Sequence, residues 1–377
     1  MTVGRDDLLA QLQQPRLSEL NLGDCRVRIS SPDRVFWPAT ADEPAITRRD
    51  LLAYYVRIAD YVLPHLKDRP LTLLRYPTGI TGKHFFQKHV EFDPPPFVDR
   101  ECLISEHTNT DGLYLFCNNL ATLLWLVQVA NLELHTWYSR TDNEPDAHGL
   151  PHTFGGSVEA FEASVLNYPD FMVFDLDPYL YSGRERRGGQ PEMHEKGFRQ
   201  TCEVARWFRE VLEMRLGLKP FVKASGKTGL HIFVPILRQF DFDTVRAMSE
   251  QICRFVLNEH PNETTMEWSV ERRRGKVFLD YNQNTRGKTL ATPYSPRVLA
   301  RAPVSVPLQW DELDRVYPTE FRLRTVERRL REVGDLWADI LSHKADLAQL
   351  FSSFEPGSSR APAPAAPRRG GLASARR

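Results

Sequence analysis

The sequence predicts a mixed fold of the α/β type, more specifically α+β. Short apolar runs rich in valine, isoleucine and phenylalanine, which are typical of strands, alternate with longer stretches in which apolar residues recur at helical spacing. Hydrophobic residues make up 41% of the 377 positions, which is enough for a packed core. These observations favour one large domain, or two modest ones, built from helices and sheets.

The first half of the chain alternates between predicted helices and strands. Residues 1–22 are predicted to form a short amphipathic helix or arm. Thr47 opens a long helix that begins ITRRDLLAYY, with Asp50 as its capping-box partner, and we expect Pro64 to end or kink this helix. The other predicted elements are strands at 26–30, 69–77 and 84–89, and one buried helix at 119–135.

In the second half, the predicted strands end in acidic residues or in a glycine loop. FMVFDLDP (171–178) is a short apolar strand, PFVKASGKTGLHIFVPI (220–236) is a strand–loop–strand unit, and KVFLDYNQN (276–284) is a further strand. Helices are predicted at about 195–216, where Gly217 stops the helix, at 243–259, and once or twice between 317 and 341. We expect 140–168 to be irregular and 182–196 to be a mobile loop.

Composition excludes several classes of protein. The 49 basic and 49 acidic residues cancel, so any basic surface for nucleic acid must come from local patterning. No apolar run has transmembrane length, and the N-terminal segment lacks an apolar signal core, so we expect no membrane partner and a cytoplasmic location. The five cysteines form no CxxC pair, which argues against a zinc ribbon or a disulfide framework and predicts reduced, buried thiols.

The C-terminal segment differs in composition from the rest. From Ser352 onward the chain consists mainly of serine, proline, alanine, glycine and arginine, so we predict a disordered basic tail over 352–377. Its arginines can add weak, salt-sensitive contacts to phosphates, and a merely solvated tail fits the sequence equally well.

Three aspartates at predicted strand ends carry the main functional hypothesis. Asp175 and Asp177 are two residues apart, so both side chains point to the same face of their strand. Asp280 ends another apolar run, VFLD. A divalent cation such as Mg²⁺ or Mn²⁺ relieves the repulsion between such carboxylates, and two ions would suit phosphoryl transfer. A DxD alone also occurs on solvated turns and in metal-dependent glycosyltransferases, and Asp280 alone also fits a strand cap.

The segment SGKTGLH (225–231) predicts a phosphate-binding loop. Gly226 lets backbone N–H groups converge on an anion, and Lys227 adds a positive charge, while Ser225 can donate a hydrogen bond. His231 starts the next strand and can donate to a phosphate. The loop is not a Walker A motif, because no helix follows it. Each feature alone is more often structural, and their adjacency to the carboxylates favours triphosphate binding.

Two basic segments suggest contacts with nucleic acid. The run ERRRGK (271–276) precedes Asp280 and directs Arg273 towards the same region, although a solvated charge run is the more common outcome. Phe85 and Phe86 lie beside Lys88, and rings that stack on bases next to cations are typical of nucleic-acid binding. Core packing of one phenylalanine explains the pair equally simply.

Taken together, these motifs resemble the polymerase domain of bacterial ligase D, a member of the archaeo-eukaryotic primase superfamily. The resemblance covers roughly residues 24–320. It rests on SPDRVFWP, ITRRDLLAYY, RPLTLLRYPTGITGKHFFQKH, LELHTW, FDLDP, SGKTGLHIFVPI and VFLDYNQN…RGKTLATPYSPR, in that order. It implies a primase-like catalytic module with an RRM-like sheet and an N-terminal α/β subdomain, together forming one unit over residues 23–351.

The resemblance also implies roles for individual residues. Asp175, Asp177 and Asp280 would bind two Mn²⁺ or Mg²⁺ ions and carry catalysis. The residues implied at the nucleotide are Ser225, Gly226, Lys227, His231, Arg273, Gln283, Arg297 and His135. Those implied at the DNA are Phe85, Phe86 and Lys88 at the bases, and Arg34 and Arg48 at a downstream 5′-phosphate.

The implied activity is that of a DNA-dependent DNA/RNA primase-polymerase that fills short gaps or joins ends in DNA repair, with ribonucleotides preferred. Its partners would be gapped or broken DNA, NTP or dNTP, a separate ATP-dependent DNA ligase and Ku, at the nucleoid. Because 377 residues leave no room for ligase or phosphoesterase domains beside this module, we expect a stand-alone form of the domain, and the segments 140–168 and 181–196 look expanded against the family pattern. A non-catalytic DNA-end-binding scaffold of the same fold, and a DxD glycosyltransferase that makes no use of Asp280, are the alternatives.

Overall fold

The structure is a computed structural model that describes residues 3–105, 110–182 and 193–352. Most of the loop predicted at 182–196, and the tail predicted after Ser352, lie outside these residues. Within the described part there are eight α-helices, α1 Arg5–Leu12, α2 Arg48–Leu66, α3 Leu120–Gln128, α4 Val158–Ala163, α5 Glu195–Glu210, α6 Phe242–Glu259, α7 Val326–Val333 and α8 Leu347–Ser352.

Sixteen strands are present in the same described residues. They are β1 Glu19–Asn21, β2 Arg26–Arg28, β3 Val35–Trp37, β4 Ile46–Thr47, β5 Leu71–Arg75, β6 Phe85–Gln87, β7 Asp99–Ser105, β8 Thr110–Phe116, β9 Asn131–Thr136, β10 Phe171–Tyr179, β11 Phe221–Ala224, β12 Leu230–Pro235, β13 Thr264–Thr265, β14 Lys276–Asp280, β15 Leu290–Ala291 and β16 Val306–Leu308. The predicted α/β fold class is therefore confirmed.

Two larger sheets organise the molecule. A six-stranded sheet has the order β13-β14-β10-β12-β11-β16, and a four-stranded sheet has the order β15-β9-β5-β6. All pairs are antiparallel except β13 with β14. Two-stranded pairs join β1 with β2, β3 with β4, and β7 with β8. None of the helices in the described part combines the length and apolar character that crossing a lipid bilayer requires.

Strand β10 lies in the middle of the six-stranded sheet, and its two faces carry different sets of side chains. Met172, Phe174 and Leu176 point to the face covered by α5 and α6 and belong to one buried apolar cluster with residues of those helices. The alternate residues, including Asp175 and Asp177, point to the opposite face. The two-residue period of the strand thus places Asp175 and Asp177 on one face, as the sequence predicts.

The N-terminal residues are anchored to the second apolar core. Leu8 and Leu12 of α1 and Leu20 of β1 are buried in the cluster that also contains α2 and β5 residues, and β1 pairs with β2. Thr47 and Asp50 form the predicted capping box at the start of α2. The helix continues through Pro64 to Leu66, so the proline stands inside its last turn instead of ending it.

The prediction of one helix over 119–135 is wrong. Helix α3 ends at Gln128, and β9 begins at Asn131. Ala130 takes a left-handed φ of 59°, which turns the chain without the glycine or proline that would mark a boundary. A buried helix and a buried strand have the same apolar composition, so composition alone could not separate them.

Smaller differences occur elsewhere. The strand predicted at 276–284 ends at Asp280 and is followed by a 3-10 turn over Tyr281–Asn284. The segment 140–168, predicted to be irregular, contains α4 and a 3-10 turn at Val165–Asn167. All five cysteines are free thiols, but Cys102 is exposed and Cys25 is only half-buried, so the prediction of buried thiols holds for the other three.

Candidate active site

Strand register places the acidic residues side by side. Asp175 on β10 is the direct cross-strand partner of Asp280 on β14, and on its other side it is the partner of His231 on β12. His231 is in turn the partner of Lys223 on β11. Direct partners on antiparallel strands share a face, so Asp280, Asp175, His231 and Lys223 form a row across four strands, which we call the cross-sheet row.

Gln283 links the two aspartates of this row. Its Nε2 lies 3.3 Å from Oδ2 of Asp175 and 3.3 Å from Oδ2 of Asp280. The hydroxyl of Tyr138 faces the other amide atom, Oε1, at 3.5 Å, which keeps the amide N–H groups turned towards the carboxylates. Asp177 lies beside them and accepts a hydrogen bond from Thr228 Oγ1 at 3.3 Å. The predicted proximity of the three aspartates is therefore confirmed.

The electrostatic state of these carboxyl groups is unusual. Burial raises the pKa values of Asp175, Asp177 and Asp280, that of Asp177 to about 6. Repulsion from neighbouring carboxylates raises the pKa values of Asp175 and Asp177 further. Such grouped, poorly compensated acids in a cleft mark a functional site.

The same residues fit a divalent cation in charge and chemistry. Oδ1 of Asp175 is buried, and among the described residues no donor makes a hydrogen bond to it. Hard carboxylate oxygens are the ligands that Mg²⁺ and Mn²⁺ prefer, and a cation removes the repulsion that raises these pKa values. Within the described residues, no group of three or more Asp, Glu, His or Cys side chains has the arrangement of a complete metal site.

The glycine loop closes on itself through Ser225. Oγ of Ser225 accepts hydrogen bonds from the backbone N–H groups of Lys227 and Gly229, both at 3.1 Å. Gly226 has a φ of 72°, and a Cβ there would lie 2.9 Å from backbone atoms of Val304 and Ser305. No other residue type fits this position without moving the loop.

A buried glutamate that the sequence reasoning missed organises the cations of the cleft. Glu133 is fully buried, and its Oε2 lies 2.8 Å from Nε2 of His135 and 3.1 Å from Nε of Arg297. Lys227 Nζ lies 3.5 Å from its other oxygen. The surrounding cations and the hydrogen bond from His135 keep the pKa of Glu133 well below its usual range despite its burial. The alternation in LELHTW, which places Glu133 on the same face as His135, is the signal that could have found it.

Arg273 is another buried cation that lines the cleft. Its guanidinium carbon lies 3.4 Å from the centre of the Phe278 ring and 4.6 Å from that of Tyr179. Nε donates to the carbonyl oxygen of Glu267 at 2.7 Å, and Nη2 donates to that of Trp268 at 3.1 Å. Stacking and two backbone contacts therefore fix this cation beside the carboxylates.

These groups line one cleft of about 430 Å³. The predicted residues that line it are His135, Asp175, Asp177, Ser225, Lys227, His231, Arg273, Asp280, Gln283 and Arg297. The other lining residues, which the sequence did not predict, are Tyr179, Met193, Thr228, Trp268, Phe278, Leu290, Ala291 and Leu299.

The residues predicted to contact DNA lie apart from this cleft lining. Phe85 and Phe86 are exposed on the edge strand β6, where 65% of Phe86 is accessible, and Lys88 follows them on the surface. Arg34 is exposed, with Nη1 donating to the carbonyl oxygen of Pro77. Arg48 is buried, with its guanidinium on the carbonyl oxygen of Ser30 and over the Phe36 ring. Arg48 therefore does not present its charge to the surface as Arg34 does.

Comparison with known proteins identifies the family of this chain. Residues 47–337 match the family described as LigD, primase-polymerase domain. The chain is 29% identical over 329 residues to the multifunctional non-homologous end joining protein LigD of Mycolicibacterium smegmatis, covering 87% of this chain and 38% of that protein. It is 30% identical over 311 residues to the LigD of Mycobacterium tuberculosis H37Rv, covering 82% and 36%. For the bifunctional LigD of Bacillus subtilis the identity is 27% over 304 residues, covering 80% and 42%.

A solved structure extends the likeness to three dimensions. The polymerase domain from Mycobacterium tuberculosis ligase D in complex with DNA superposes with a TM-score of 0.69 at 28% identity, covering 85% of this chain and 99% of that one. The fold and its acidic cleft define a nucleotidyltransferase, as the sequence predicted. The chain belongs to the LigD primase-polymerase domain family, and it spans about two fifths of the length of the LigD proteins it matches.

Proposed function

We propose that this protein is a DNA-dependent primase-polymerase that adds nucleotides, preferentially ribonucleotides, to 3′ ends during short gap filling or end joining. The observation that carries the proposal is the alignment of Asp280 with Asp175 across β14 and β10, next to Asp177 and the glycine loop. A glycosyltransferase DxD site would have no need of an acid on the neighbouring strand. Relatives named for non-homologous end joining support the assignment to break repair.

The three aspartates would hold two Mn²⁺ or Mg²⁺ ions. Bound there, the ions supply charge neutralisation for the triphosphate and activation of the primer 3′-hydroxyl. Gln283 keeps Asp175 and Asp280 oriented through its paired contacts. Thr228 does the same for Asp177.

The walls of the cleft bind the incoming nucleotide. Lys227 and Arg297 provide positive charge for the triphosphate and are held in place by Glu133. Ser225, Gly226 and the loop they form approach the phosphates, and His135, His231, Arg273 and Gln283 complete the site. Fixed cations of this kind stabilise charge that moves onto pyrophosphate during transfer.

The DNA would cross the surface that carries β6. Phe85 and Phe86 offer exposed rings for stacking on bases, with Lys88 near the backbone. Arg34 would contact the 5′-phosphate downstream of a gap. Arg48 would act indirectly, because its buried guanidinium lies close enough to Arg34 to raise the positive potential there. In the cell, a separate ATP-dependent ligase and Ku would act on the same break at the nucleoid.

The test is incorporation on a gapped duplex with Mn²⁺ or Mg²⁺, comparing NTP with dNTP. We expect wild-type protein to extend the primer, and Asp175→Ala and Asp280→Ala to lose extension while retaining DNA binding in an anisotropy assay. Asp241→Ala removes an aspartate that caps α6 outside the cleft and serves as the matched control. Normal extension by Asp280→Ala would refute the site assignment, and wild-type binding without any incorporation would favour a scaffold.

A further inference from the structure

Lys223 is a buried lysine whose ammonium nitrogen has three close polar partners. Its side chain has no exposed surface, and Nζ lies 2.7 Å from Nδ1 of His231, 2.8 Å from the carbonyl oxygen of Ala291 and 2.6 Å from Oγ of Ser305. All three partners are uncharged groups. A buried lysine without a carboxylate in contact is costly, so its position calls for a function.

The hydrogen-bond directions around Lys223 can be assigned by counting protons. The carbonyl oxygen of Ala291 only accepts. Ser305 Oγ donates its own proton to the carbonyl oxygen of Ala224 at 2.9 Å, so towards Lys223 it accepts. In its ammonium form Lys223 has three N–H donors, so the third is left for Nδ1 of His231, whereas a neutral amine would accept a hydrogen bond from Nδ1–H instead. The ammonium also lies 5.8 Å from the centre of the Phe233 ring, which favours the charged form.

Two opposing influences act on the charge of Lys223. Burial lowers its pKa well below the ordinary value, and Arg297 lowers it further. Asp175 acts in the other direction. The three partner atoms around Nζ match in number the three donors of an ammonium group, and the anion that His231 would contact is the one assumed by the proposed function, on which this inference rests.

We propose that Lys223 is a positioning residue that holds His231 in the tautomer with its proton on Nε2, so that the ring offers an N–H donor to the anion bound in the cleft. The register supports this, because Lys223, His231 and Asp175 are direct partners on three adjacent strands of the cross-sheet row. Nε2 of His231 lies 3.4 Å from Oδ1 of Asp175. With the opposite tautomer, an Nε2 lone pair would face both the carboxylate and the triphosphate oxygens, and both contacts would be repulsive.

The test reads the tautomer directly. Full-length protein labelled with ¹⁵N-histidine is measured by long-range ¹H–¹⁵N NMR, and His231→Asn identifies the His231 signals among the 11 histidines. We expect Nδ1 without a proton and Nε2 with one in the wild type. Inorganic tripolyphosphate with Mg²⁺ should shift the Nε2–H signal. A proton on Nδ1, or a Nε2–H signal that does not respond to tripolyphosphate, overturns the proposal without any variant.

Variants then isolate the contribution of Lys223. Lys223→Met removes the donor and keeps a long side chain, so His231 should lose its fixed tautomer, and KM for the nucleotide should rise on the order of 10- to 100-fold. Ser305→Ala removes a different contact of Lys223 and should keep the wild-type tautomer. An unchanged tautomer in folded Lys223→Met, or equal loss in Ser305→Ala, contradicts the inference. If wild-type protein incorporates no nucleotide, the proposed function fails, while the NMR result still decides the role of Lys223.

Discussion

Asp170, at the residue just before β10, is the most informative single position for stability. Its carboxylate is completely buried and is surrounded by cations from separate parts of the chain. Arg69 Nη2 and Arg140 Nε donate to it at 2.9 Å, and Lys344 Nζ donates at 2.5 Å. We expect Asp170→Asn to leave Arg69 buried with no other carboxylate partner among the described residues, whereas Lys344 keeps Asp146 at 2.7 Å and Arg140 keeps Asp142 at 3.6 Å.

The size of the expected loss in unfolding free energy follows from the burial of the charges. Removing one partner from a buried, hydrogen-bonded charge pair costs about 3–5 kcal/mol, because the remaining charge is left uncompensated. With an unfolding entropy of roughly 2.1 cal/mol/K per residue, that loss lowers Tm by roughly 4–6 °C for a chain of 377 residues. The matched control is Asp60→Asn, since Asp60 pairs with Arg5 but is 77% exposed, and a surface pair contributes about 0–1 kcal/mol.

The pH dependence provides the decisive assay. The surrounding cations keep the pKa of Asp170 far below its ordinary value, although burial opposes them. A depressed folded-state pKa stabilises the protein above the unfolded-state pKa, and this contribution is lost as the pH falls. The difference in unfolding free energy between wild type and Asp170→Asn, measured by urea titration with circular dichroism, should be constant above about pH 5 and shrink below about pH 4. A difference no larger than that of Asp60→Asn, or one that grows on acidification, would refute this reasoning.

Three further predictions concern the site and its DNA-binding surface. Gly226→Ala should abolish nucleotide incorporation, whereas Gly275→Ala, which has a similar φ of 65° but open space around it, should lose only about 1–2 kcal/mol of stability; equal incorporation by both variants would contradict the steric argument. Phe86→Ala should raise Kd for gapped duplex by an amount equivalent to about 1–3 kcal/mol while leaving the urea midpoint unchanged, and an unchanged Kd in an anisotropy assay would exclude base stacking. Arg34→Gln should erase any preference for a 5′-phosphorylated over a 5′-hydroxyl gap, whereas Arg324→Gln, another exposed arginine that donates to a backbone carbonyl, should keep it; a preserved preference in Arg34→Gln would rule out that contact.

Much of the local structure could be predicted because local chemistry determines it. The alternation of FMVFDLDP separates the core-facing side chains from Asp175 and Asp177, and the Thr47–Asp50 capping box marks the start of α2. Glycine content and apolar flanks predict the strand–loop–strand unit at the phosphate loop. These signals act over a few residues and do not depend on the rest of the fold.

Other parts of the site depend on contacts between distant segments. Glu133 looks like an ordinary polar residue in a buried strand, and only folding brings Arg297 and Lys227 to it. From the sequence, Arg48 would be expected on the surface. In the structure its guanidinium donates a hydrogen bond to the carbonyl oxygen of Ser30, and the side chain is buried. Charge and residue type alone could not distinguish it from the exposed Arg34.

The cross-sheet row explains why one sheet can serve both core and site. Strand pairing fixes Asp280, Asp175, His231 and Lys223 in one line, on the face opposite to the side chains that α5 and α6 cover. A slip of one residue in any of these strands would exchange its buried apolar side chains with its polar ones, so packing on one face penalises every register except the one that assembles the row. The same apolar contacts that stabilise the fold therefore hold the acidic and basic groups in register, and the contacts within the site then orient their side chains.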